Sequence, residues 1–147
     1  MKSFAHSFVL ALALVAPWSH AAAPDPSLLG CWRAVTIVQF LKDGSKMEDS
    51  SGRCTLQFKE DQFDSTCMSA RGTVTSIYRY RIERPNVYLA TMAGSSYRTT
   101  LIGSTRKYEY KVDGDRLTTR ADIQPTEPAA PTAAVRVETE AARMECP

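Results

Sequence analysis

Between residues 32 and 120 polar and apolar side chains alternate with a period of two, and short turn-forming clusters break the alternation repeatedly. No stretch in that span carries a 3.6-residue periodicity long enough for an amphipathic helix, so the chain reads as antiparallel and all-β. Eight short strands are expected, over residues 32–40, 53–59, 62–68, 73–83, 87–92, 96–102, 105–112 and 115–120. In the first, Trp32, Ala34, Thr36, Val38 and Phe40 share the face expected to point inward. Further along, Tyr78, Tyr80 and Ile82 share one face, as do Arg106, Tyr108, Tyr110 and Val112. Residues 42–52 form a polar stretch expected to be a loop overhanging an opening. Asp113-Gly114 is the strongest hairpin signal, and a two-residue loop there pairs Val112 with Asp115 and Tyr110 with Leu117.

An antiparallel meander of this size must protect its edges, and closing into an eight-stranded barrel does so without extra elements. Two stacked sheets are the alternative. An eight-stranded barrel is either filled by its side chains or just able to hold one small ligand. Beyond Asp122 the chain turns rich in proline and alanine, which reads as a C-terminal covering segment; residues 135–140 suit a short strand and residues 138–144 a helical turn.

The first residues have a different texture. Lys2 precedes an apolar run over residues 8–16, and Ser19 and Ala21 supply small residues for cleavage after Ala21. Residues 1–21 therefore read as a signal peptide, leaving 22–147 as a single domain that is periplasmic or secreted. The whole chain has 18 Lys and Arg against 16 Asp and Glu, a balance that argues against nucleic acid as a partner. Arg79, Arg81, Arg84, Arg98 and Arg106 form only a modest basic concentration.

Four cysteines in an exported chain point to two disulfides. Three connectivities are open. A two-residue loop at Glu60-Asp61 puts Phe58 opposite Phe63, Leu56 opposite Ser65 and Cys54 opposite Cys67, and if that register holds, Cys31 pairs with Cys146. A metal centre is not expected, because the cysteines are scattered and the two histidines, His6 and His20, lie in the leader. The same absence leaves no histidine for acid and base work near neutral pH, and Asp61, Asp64, Asp113 and Asp115 sit in or beside turns.

At Leu28 to Arg33 the segment LLGCWR contains Gly30-Cys31-Trp32, which resembles the Gly-x-Trp motif opening the first strand of lipocalin and lipocalin-like barrels. The resemblance implies an eight-stranded barrel closed at one end by Trp32, with an arginine near the last strand packed across it; Arg120 is the nearest match. The expected activity is noncatalytic: binding of a small apolar or amphipathic molecule, without a cofactor, in a barrel whose candidate ligand contacts are Trp32, Tyr78, Tyr80, Arg106, Tyr108 and Tyr110. The alternative is a protein-protein interaction module, such as an inhibitor of a secreted enzyme or an envelope assembly subunit. A small barrel enzyme ranks third.

Overall fold

The protein is described here by a computed structural model covering residues 23–124 and 130–147. The leader read at residues 1–21 and part of the Pro/Ala-rich stretch, 125–129, lie outside the described residues. Nine strands run in chain order: β1 (Gly30–Leu41), β2 (Lys46–Asp49), β3 (Cys54–Phe58), β4 (Gln62–Ser69), β5 (Gly72–Arg84), β6 (Val87–Ser95), β7 (Thr105–Asp113), β8 (Arg116–Asp122) and β9 (Ala134–Met144). Every pairing is antiparallel, in the order β2-β1-β3-β4-β5-β6-β7-β8-β9, and β9 returns to pair with β1. Eight strands therefore close a barrel, and β2 is an extra strand on the upper half of β1.

The hairpin register follows the sequence reading residue for residue. Phe58 pairs with Phe63, Leu56 with Ser65 and Cys54 with Cys67. Lys59 N–H closes the turn on Gln62 O at 2.8 Å. Both disulfides form, Cys54–Cys67 with Cα atoms 4.1 Å apart and Cys31–Cys146 with 5.2 Å. The longer-range bridge ties the start of β1 to the end of the chain.

Several expectations need correction, among them the helical turn at residues 138–144, which are strand. Residues 96–102 are not a strand; they form a connection with a single 3-10 turn at Thr99–Leu101. The eighth wall strand is instead β9, so the C-terminal segment is part of the barrel and not a cover over it. Residues 42–52 are not simply a loop, since β2 pairs with Ile37–Phe40 of β1. The β7–β8 loop is Gly114-Asp115, which pairs Asp113 with Arg116, Val112 with Leu117 and Tyr110 with Thr119. That slip moves both strands together and so preserves which faces point inward.

A bulge resets β1. Ala34 pairs with Ala141 but Thr36 pairs with Glu140, leaving Val35 as the extra residue. One inserted residue flips the alternation. Trp32 and Ala34 point inward as expected, whereas Thr36, Val38 and Phe40 turn to the outer face and Ile37 takes the inner one. The Arg136 guanidinium of β9 covers the outward Phe40 ring at 3.8 Å.

Candidate functional site

The two ends of the barrel differ. One buried cluster runs upward through Phe63, Tyr88 and Ala90 from the lower end, which Leu28, Trp32, Phe58, Tyr80, Tyr110, Leu117 and Ala141 pack. At that end the polar atoms are satisfied: Trp32 Nε1 donates to Leu28 O at 2.9 Å, Tyr80 Oη donates to Lys59 O at 2.6 Å, and Tyr110 Oη donates to Asp25 Oδ2 at 2.6 Å. Burial first, then the neighbouring carboxylates of Asp25 and Asp61, push the Tyr80 hydroxyl up to about 12. The Tyr110 hydrogen bond in turn holds the Asp25 carboxyl below its ordinary value.

Toward the upper end the side chains no longer fill the interior. A chamber of about 170 Å3 is bordered by Ala34, Ile37, Leu56, Phe63, Tyr88 and Val137, by Tyr78 and Tyr108, and by Ser65, Thr119 and Thr139. It meets a wider vestibule of about 730 Å3, with which it shares Ser65, Cys67 and Tyr78. The vestibule lies between the β4–β5 turn, carrying Arg71, and residues 96–98, carrying Tyr97 and Arg98. Among the described residues no carboxylate borders either space.

Two ring stacks build the chamber wall. Phe63 and Tyr78 lie 4.6 Å apart at 12°, and Tyr88 and Tyr108 lie 4.9 Å apart at 12°. Both are cross-strand pairs in direct register, so pleating sets their rings side by side. Burial raises the Tyr88 hydroxyl well above its ordinary range and also raises Tyr108, where nearby Arg106 acts in the opposite direction. These phenols stay protonated across the physiological range and can donate hydrogen bonds.

A crystal structure of a lipocalin-like protein from Bacteroides uniformis aligns with a TM-score of 0.52 at 12% identity, over 80% of this chain and 99% of that one. The fold is lipocalin-like. An uncharacterized protein from Bacteroides eggerthii aligns over 78% of this chain and 98% of its own, at 11% identity and a TM-score of 0.49. No protein-family model and no curated protein matches the chain.

Within the lipocalin-like barrel, Trp32 closes the lower end, and an arginine does pack across it. That arginine is Arg143 of β9, with its guanidinium 4.0 Å from the Trp32 ring centroid and donating to Ser27 O at 2.7 Å and Leu29 O at 3.0 Å. Arg120, the residue expected there, is an exposed side chain of β8 near Asp122. Gly30 sits beneath the same guanidinium at φ +111°, and a Cβ there would meet Arg143 Nη1 at 3.2 Å. The backbone conformation thus calls for glycine, and a Cβ would in addition press on the guanidinium.

Of the candidate contacts, Tyr78 and Tyr108 border the chamber and Arg106 lies beside Tyr108. Trp32, Tyr80 and Tyr110 belong to the packed lower end and border neither space. Tyr88, Thr119, Val137 and Thr139 were not anticipated. Tyr88 was obscured because its strand is apolar on both faces: Val87, Tyr88, Ala90 and Met92 are all buried. Among the described residues no group of three or more His, Cys, Asp or Glu is arranged to hold a metal ion, and no helix is long and apolar enough to cross a membrane.

Proposed function

We propose that this chain is an exported, noncatalytic binding protein that holds one small apolar or amphipathic molecule in the upper chamber of its barrel. The observation that carries this reading is the unfilled chamber of about 170 Å3 opening into a vestibule, above a lower end filled by packed side chains. A cavity of about 150 Å3 lined by apolar side chains is large enough for a benzene ring, so the chamber suits one ring or a short branched chain. Apolar burial supplies the affinity, and the hydroxyls orient the ligand. The two disulfides favour an oxidising compartment, in keeping with a periplasmic or extracellular protein.

Native mass spectrometry of protein recovered from an exporting host tests the reading. The expected species is residues 22–147 with both disulfides formed and a small molecule retained, and Ser65→Trp, which fills the chamber, is expected to lose that mass. A chain that retains nothing and binds no single-ring compound up to millimolar concentration would overturn it.

A further inference from the structure

Tyr88 is 2% exposed, yet its hydroxyl has no hydrogen-bond partner among the described residues, and its side chain borders the chamber. The lower-end phenols of Tyr80 and Tyr110 are both engaged at 2.6 Å. Among the described residues the fully enclosed side-chain polar atom left without a partner is Arg136 Nε and not the Tyr88 hydroxyl, which is therefore reached from open space, so a protein that pairs two of its core phenols and leaves a third bordering a cavity has a donor available for a ligand. Tyr108 stacks on Tyr88 and is already influenced by Arg106.

Resting on the reading of the chamber as a ligand site, we propose that the buried end of the ligand is a single ring bearing a neutral carbonyl-type acceptor, which takes the Tyr88 hydroxyl hydrogen bond. The chamber volume limits that end to about one six-membered ring by comparison with the benzene-sized cavity. The acceptor is neutral because among the described residues no Arg or Lys borders the chamber; Arg106 is engaged by Tyr108 outside its lining, and a carboxylate in the chamber would be desolvated without a counter-charge in contact. An anionic substituent would have to lie higher, where Arg71 and Arg98 border the vestibule.

Three compounds of equal heavy-atom count separate the possibilities: acetophenone, its hydrocarbon isostere isopropylbenzene, and benzoate. Titration calorimetry of the oxidised protein is expected to show binding of the first two, with benzoate at least about tenfold weaker than acetophenone. Tyr88→Phe, which keeps the ring, is expected to weaken acetophenone about tenfold, the equivalent of one net hydrogen bond of about 1.4 kcal/mol, and to leave isopropylbenzene unchanged. The infrared carbonyl stretch of bound acetophenone needs no variant; it is expected to lie below its value in a hydrocarbon solvent. Equal effects of Tyr88→Phe on both neutral compounds, benzoate binding as tightly as acetophenone, or a carbonyl stretch at its hydrocarbon value would each overturn the acceptor proposal while leaving the chamber as a ligand site. Failure of all three compounds to bind would overturn the ligand site itself, and this proposal with it.

Discussion

The lower and upper ends of the barrel are built from the same kinds of residue, yet they differ in what their polar atoms do. Below, Trp32, Tyr80 and Tyr110 each find an acceptor, and rings and leucines fill the space between them. Above, stacked phenols line a space they do not fill, and Tyr88 has no partner among the described residues. Tyrosine content therefore does not tell a core from a pocket. Completion of hydrogen bonding and packing does, and the proposed ligand site lies at the end where both are incomplete.

Breaking the lower end should cost the most stability. Trp32→Ala removes a fully buried ring and is expected to lower unfolding free energy by about 3–5 kcal/mol. Chemical denaturation measures the loss, while ring binding to the remaining folded protein should change little; a large loss of affinity with small loss of stability would erase the division between the ends.

The arginine pair sharpens the same contrast. Arg143→Ala should cost about 1–3 kcal/mol, because it removes a guanidinium stacked on Trp32 and two bonds to backbone carbonyls. Arg120→Ala should stay within about 0.5 kcal/mol, as an exposed pair does. Comparable losses for the two would place the closure of the barrel elsewhere.

The smallest effect concerns pH. Asp25 has its carboxyl held low chiefly by the Tyr110 hydroxyl, so the unfolded chain binds the proton more readily than the folded one. Its stabilising contribution is present above the ordinary carboxylate value of 3.8 and is lost as pH falls through the lower folded value. The stability difference between the native chain and Asp25→Asn, followed by denaturation from pH 6 to pH 2, should shrink on acidification. A difference constant with pH would show that Tyr110 does not depend on the charged carboxylate.

Much of the architecture was legible in the sequence where it is local. The β3–β4 register, and with it both disulfides, follows from a two-residue turn and parity alone. Features that depend on a distant partner were not. The bulge at Val35 exists only because β9 pairs across it, so simple alternation along β1 sent Thr36, Val38 and Phe40 to the wrong face. Strand β9 itself follows a Pro/Ala-rich approach and mixes alanine with glutamate, a composition that suits helix as well as strand; reading only residues 135–140 as a short strand and 138–144 as a helical turn also misplaced the arginine over Trp32. At the candidate site, alternation found Tyr78 and Tyr108 but could not separate the phenols that reach a chamber from those that end on a backbone carbonyl or a carboxylate.

The most direct test of the division between the ends is an amide NMR titration of the oxidised protein with acetophenone. Saturable shifts are expected around Phe63, Tyr88, Thr119 and Thr139, with Leu28, Trp32 and Leu117 unmoved. Shifts centred on Trp32 and Leu117, or none at saturating ligand, would contradict a barrel packed below and open to a ligand above.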